Sequence, residues 1–246
     1  KWHNKQRLSY AVTPRFAPTS TAAQLEVAGQ LLKEHDGLYC QTHVAENKAE
    51  VDWVHSLFPQ QRSYLDVYKS YGLLSSRTMM AHCIYFDKED YQLMAQSKTS
   101  ASFCPTSNLF LGSGLFAMQQ FQAHNINVSL GSDVGGGTSL NMLQNLNEAY
   151  KICQLQGYSL TASHAFYLLT LGAAKALSLE HKIGNFEQGK EADFIVLNLN
   201  ATDMMQRRMQ TIETVEQQLF VLMMLGDDRA IEATYIMGKE QYKDDV

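Results

Sequence analysis

The chain has 246 residues, is 45% hydrophobic and 18% charged, and carries a net charge of −5. That length can bury one sizeable core, while an acidic surplus without any Lys/Arg run argues against nucleic acid or an anionic membrane as partner. The longest apolar run, residues 219–225, is far too short to cross a bilayer, and no signal peptide is visible. Cys40, Cys83, Cys104 and Cys153 show no CxxC spacing, the pattern of free thiols in a reducing, cytoplasmic compartment.

Alternation predicts a first strand over residues 7–16, ending in a polar turn with Pro14, Arg15 and Phe16. Ser20 or Thr21 caps a helix running to about residue 35, with Leu25, Val27, Ala28, Leu31 and Leu32 on its inner face, and Gly37 stops it. A strand over 38–43 ends in His43, with Glu46 three residues on, and helices over 48–56 and 63–71 follow. The strand at 78–83 delivers His82 to its carboxyl end, and Asp87 caps the next helix, to residue 97. Residues 100–104 read as a fourth strand with a polar exit at 105–108. A helix over 115–124 then leads into a short apolar strand at 126–130.

After that strand comes the loop 131–137, Gly-Ser-Asp-Val-Gly-Gly-Gly, with Asp133 at its centre, and then helices over 139–156 and 161–177. Strand, polar exit and amphipathic helix repeating every 35 to 45 residues suit a parallel α/β sheet with helical crossovers. Past about His181 the composition turns β-rich: residues 183–199 hold a β run and 232–242 have the shape of a hairpin around Gly238 and Lys239. An apolar helix-like stretch over 215–225 separates them. Two domains are expected, over 1–180 and 181–246.

His43, His82 and Asp133 sit at strand ends, the edge of a parallel sheet where chemistry collects. Imidazole nitrogen and carboxylate oxygen suit Zn²⁺ or Fe²⁺ with an open position for water. A neighbouring acid such as Glu46 can then move a proton. Either histidine alone is more often structural, and Asp133 alone reads equally as a turn or cap residue; agreement among three strand ends, with Glu46, favours a site. His3, His35, His55, His124, His164 and His181 have no ligand-type neighbour and are expected to be structural. The glycines at 135–137 lack a following Lys-Ser/Thr, and no GxGxxG is present, so a phosphate loop is not expected.

PRFAPT (14–19), QTHVAEN (41–47), AHC (81–83), FCPTSNLFLGSG (103–114) and GSDVGGGTS (131–139), in this order and spacing, resemble the strand-end motifs of guanine deaminases of the amidohydrolase superfamily. GKEADFIVL (189–197) resembles the segment where such chains re-enter a β-sandwich. The resemblance runs from about Tyr10 to about Lys239. It implies a metal-dependent (β/α)8 TIM barrel, here strands four to eight, over 1–180 and part of an appended β-sandwich over 181–246. It implies His43 and Asp133 as metal ligands, with zinc or iron as the ion, and His82 as the histidine beside the metal-bound water or the substrate. Glu46 becomes the proton shuttle and Arg15 with Phe16 the substrate-binding pair; His43, Glu46 and Asp133 also face the substrate. The catalytic set is then Glu46, His82 and Asp133. The implied reaction converts guanine and water to xanthine and ammonia, and the implied oligomer is a homodimer.

Arg15 has its own physical rationale: a guanidinium fork matches the O6 and N7 acceptors of guanine, whereas adenine presents a donor there. One departure is plain. The family's His-x-His pair on the first strand, two further ligands, is absent. The chain is therefore expected to be the carboxyl-terminal portion of such an enzyme and to bind metal weakly alone. A deaminase of another aminated heterocycle and a non-catalytic assembling fragment are the competing readings.

Overall fold

The computed structural model describes residues 1–243; the end of the predicted 181–246 domain, residues 244–246, lies outside the described residues. Five parallel strands pair in chain order: β1 (Ala11–Val12), β2 (Tyr39–Val44), β3 (Thr78–His82), β4 (Ser100–Phe103) and β5 (Val128–Leu130). The sheet is open, with β1 and β5 at its edges.

Helices α1 (Ala22–Glu34), α2 (Lys48–Leu57), α3 (Tyr64–Ser70), α4 (Lys88–Ser97), α5 (Pro105–Phe110) and α6 (Met118–Ala123) lie between those strands. Their starts are fixed by side-chain caps. Thr21 accepts from the Gln24 N–H, and Asn47 and Asp87 form capping boxes with Glu50 and Asp90. After β5 come α7 (Met142–Leu155), capped by Asn141, then α8 (Ala162–Leu169) and α9 (Leu171–Ala176). Phe103, Phe116 and Phe121 stack in the interior at centroid distances of 4.4 and 4.3 Å, where they lend packing energy beyond their buried area.

A second, antiparallel sheet is built from β6 (Phe194–Leu197), β7 (Ile231–Ile236) and β8 (Lys239–Lys243), with α10 (Asp203–Met209) and α11 (Val215–Leu225) between β6 and β7. Arg7 ties the start of the chain to the approach to this sheet through ion pairs with Glu191 and Asp193.

Several expectations need correction. The first strand shrinks from residues 7–16 to two residues, since Arg7 is engaged with Glu191 and Asp193 instead of a ladder. On α1 only Leu25 and Ala28 are buried and Leu32 half-buried; Val27 is 53% exposed and Leu31 36%, because two residues past Leu25 the helix has turned about 200° from the core. The expected loop at 105–108 is the first turn of α5, started by Pro105, whose fixed φ suits that position. The helix over 161–177 breaks at Thr170 (φ −118°, ψ −103°), whose hydroxyl donates to the Phe166 carbonyl. Helix α10 was not expected from periodicity.

Candidate active site

His43 is the next-to-last residue of β2 and His82 the last of β3. The parallel register pairs His43 with Ala81 and Val44 with His82, so strand alternation alone would send the two imidazoles to opposite faces; His82, at the strand's end, leaves that alternation with φ 73°, and the two rings stack with centroids 5.2 Å apart. Asp133 lies three residues past β5. The chain leaves these strands through left-handed backbone at Ala45 (φ 49°), His82 (73°), Cys83 (52°) and Asp133 (47°), a conformation that costs about 1–3 kcal/mol per non-glycine residue. Hydrogen bonds hold it: the Cys83 N–H donates to Val44 O and the Ile84 and Tyr85 N–H groups to Ala45 O, while Gly137 N–H donates to Asp133 O. A Cβ on Gly137 would meet Ser132 O at 1.8 Å, so this turn admits only glycine.

The two histidines are anchored by their Nδ1 atoms. His43 Nδ1 is 2.8 Å from the Arg15 carbonyl; a carbonyl only accepts, so Nδ1 carries the proton and Nε2 keeps its lone pair. His82 Nδ1 is 2.9 Å from Asn108 Oδ1. Its Nε2 is buried without a hydrogen-bond partner, 3.6 Å from Glu46 Oε2 and 3.8 Å from Asp133 Oδ2. Glu46 is oriented in turn by the Ser113 hydroxyl, which donates to its Oε1 at 3.0 Å.

His43, His82 and Asp133 each bring one donor atom within 4.8 Å of the others. Bare imidazole nitrogens beside a carboxylate, one of them a buried orphan, leave lone pairs facing one another without a proton or cation between them. The residues present therefore fit a divalent ion, and nitrogen with oxygen donors is a set that zinc accepts. Buried Cys104 is not among the donor atoms that converge, and without an ion burial first, then the Asp133 carboxylate, push its thiol up to about 12.

Of the residues singled out by sequence, His43, Glu46, His82 and Asp133 converge, with a ring nitrogen of His82 within 4.8 Å of the donor atoms of His43 and Asp133. Arg15 and Phe16 lie on the exit of β1: the exposed Arg15 guanidinium stands 5.2 Å over the Phe16 ring, and Phe16 is 6.3 Å from the His43 ring. Arg15 makes no ion pair among the described residues. Sequence reading missed Tyr68, Asn108 and Ser113. Tyr68 is buried, accepts from the Ala17 N–H at 3.0 Å and donates to His43 O at 2.7 Å, joining the Arg15 loop to β2. No periodic signal marks it, whereas Asn108 and Ser113 lie inside the conspicuous 103–114 motif.

A model of the amidohydrolase family matches residues 1–240. The guanine deaminase of Escherichia coli (strain K12) is 49% identical over 243 residues, covering 99% of this chain and 55% of that protein. Among solved structures, E. coli guanine deaminase matches with a TM-score of 0.97 at 48% identity, over 99% of this chain and 57% of that one. Guanine deaminase from C. acetobutylicum with bound guanine in the active site matches with a TM-score of 0.83 at 32% identity, over 93% and 54%. The chain spans about half the length of the curated relatives it matches.

Proposed function

Because this chain belongs to the amidohydrolase family, we propose that its strand-end cluster serves the hydrolytic deamination of guanine to xanthine and ammonia. The observation that carries the reading is the convergence of His43, His82 and Asp133 on one point, with Glu46 against them. The five parallel strands are read as part of a (β/α)8 barrel and β6 to β8 as part of a β-sandwich, divided near residue 180. The four free, buried cysteines support a reducing, cytoplasmic setting.

His43 and Asp133, with His82 beside them, would hold one divalent ion, zinc by its donor chemistry and iron as the alternative. Bound there, the ion supplies a water whose pKa has fallen towards neutrality. The residues of this chain do the rest. Glu46 takes the proton of the attacking water and delivers it to the ring nitrogen beside C2, then a second proton goes the same way to the departing amine. His82 and Asp133 accept from the attacking water and hold its oxygen against C2. Arg15 donates to O6 and N7, and Phe16 packs on the purine.

Ammonia release from guanine, adenine and cytosine, in the presence of zinc, tests the reading. Release from guanine alone, abolished in Glu46→Gln and relaxed towards adenine in Arg15→Ala, is expected. Release from cytosine in preference to guanine would favour a deaminase of another heterocycle, and no release at all a non-catalytic chain.

A further inference from the structure

We propose that Asn108 is a positioning residue that selects the tautomer of His82, keeping Nε2 bare towards the site. The functional consequence rests on the deaminase reading; the tautomer itself does not.

Asn108 is 1% exposed, and its backbone is fixed at both ends: its N–H donates to Cys104 O and its carbonyl accepts from Ser113 N–H, each at 2.9 Å. The side chain places Oδ1 2.9 Å from His82 Nδ1, so Nδ1–H donates and Nε2 is left with a lone pair. His43 needs no such selector, because its partner is a carbonyl. An amide has two faces. Turned over, Asn108 would present a donor to Nδ1 and drive the ring proton to Nε2.

That reversed state is the one the surroundings pull for. Glu46 Oε2 and Asp133 Oδ2 both lie near Nε2, at 3.6 and 3.8 Å, and two carboxylates attract a proton to the nitrogen between them. Among the described residues Asn108 Oδ1 is the one group opposing them. The cost is visible: Asn108 Nδ2 is buried without a partner, an unmade bond that a site tolerates when the other end of the amide is what it needs. With Nε2 bare, His82 can accept from a water or bind an ion. With a proton there it can only donate to Glu46 and Asp133, and the centre closes on itself.

The test is nitrogen NMR of the full chain labelled with ¹⁵N-histidine, kept in chelator, at a pH where the rings are neutral. His82 is expected as the Nδ1–H form. Asn108→Asp can only accept and should retain that form, while Asn108→Leu should shift the tautomer ratio towards Nε2–H on the order of tenfold, about what one net hydrogen bond is worth. Predominant Nε2–H in the unsubstituted chain, or reversal in Asn108→Asp, overturns the proposal, as does an unchanged ratio in Asn108→Leu. Should Asn108→Leu fail to fold, the unsubstituted chain and Asn108→Asp still decide. The readout needs no turnover, so a chain with the stated tautomer that releases no ammonia from guanine defeats the deaminase reading and leaves this one standing.

Discussion

Replacing Tyr68 by Phe removes one oxygen from a side chain that is fully buried, and the loss can be worked out bond by bond. The hydroxyl accepts from the Ala17 N–H at 3.0 Å, donates to His43 O at 2.7 Å and lies 3.1 Å from the Thr42 hydroxyl. Burial pushes the phenol up to about 12, so its proton is present to donate at any working pH. Ala17 begins a 3-10 turn, where a backbone N–H has no partner within the helix; without Tyr68 it is a buried orphan costing about 1–3 kcal/mol. Thr42 keeps its bond to Arg15 O, so its share is small. Adding about 1 kcal/mol for the lost bond to His43 O gives a destabilisation of about 3 kcal/mol, with ring packing conserved. For a chain of 246 residues that lowers Tm by about 6–12 °C. Urea unfolding of the two proteins, read at equal m-values, measures it. A difference below about 0.5 kcal/mol would refute the claim that this hydroxyl pins the Arg15 loop to the His43 strand.

Gly137→Ala, which drives a Cβ into Ser132 O, should weaken zinc binding at least about tenfold by moving Asp133; unchanged affinity in a folded variant would show that the turn relaxes. The native chain should resist a thiol reagent at pH 8, because burial pushes Cys40, Cys104 and Cys153 up to about 12 and Cys83 well above the ordinary thiol value. Four thiols should react on unfolding, and fast labelling of the native chain would contradict it. Asp193 gives an acid limb: partial burial raises its carboxyl, but hydrogen bonds from Arg7 and the Met237 N–H outweigh this and hold it below its ordinary value. A depressed carboxyl contributes stability that is full above the unfolded value near about 4 and is lost as pH falls through the lower folded value. Asp193→Asn should therefore flatten the stability profile below that pH, and parallel acid limbs would speak against the Arg7 tie.

What was legible in the sequence follows from what each signal encodes. Strand ends at His43 and His82 were readable because a short β-rich run stops at a polar group, and helix starts at Thr21 and Asp87 because caps are local chemistry. The convergence of His43, His82 and Asp133 was legible only as agreement among strand ends, since register is a non-local property. Tyr68 could not be found this way: on α3 it looks like any aromatic of an inner face, and its hydroxyl partners lie 25 and 51 residues away. The break at Thr170 was hidden for a related reason, because apolar periodicity persists across a backbone turn set by one hydroxyl. Asn108 was read as part of a polar loop. Its place on α5, aimed at a histidine 26 residues back, is a tertiary fact.

The most direct measurement is a zinc titration of the chain against a chromophoric chelator of known affinity. One equivalent should bind per chain, at least about tenfold more weakly in His43→Ala and in Asp133→Ala and unchanged in His55→Ala on α2. Binding that is absent, or indifferent to residues 43 and 133, would contradict a metal centre at these strand ends and the deaminase chemistry built on it.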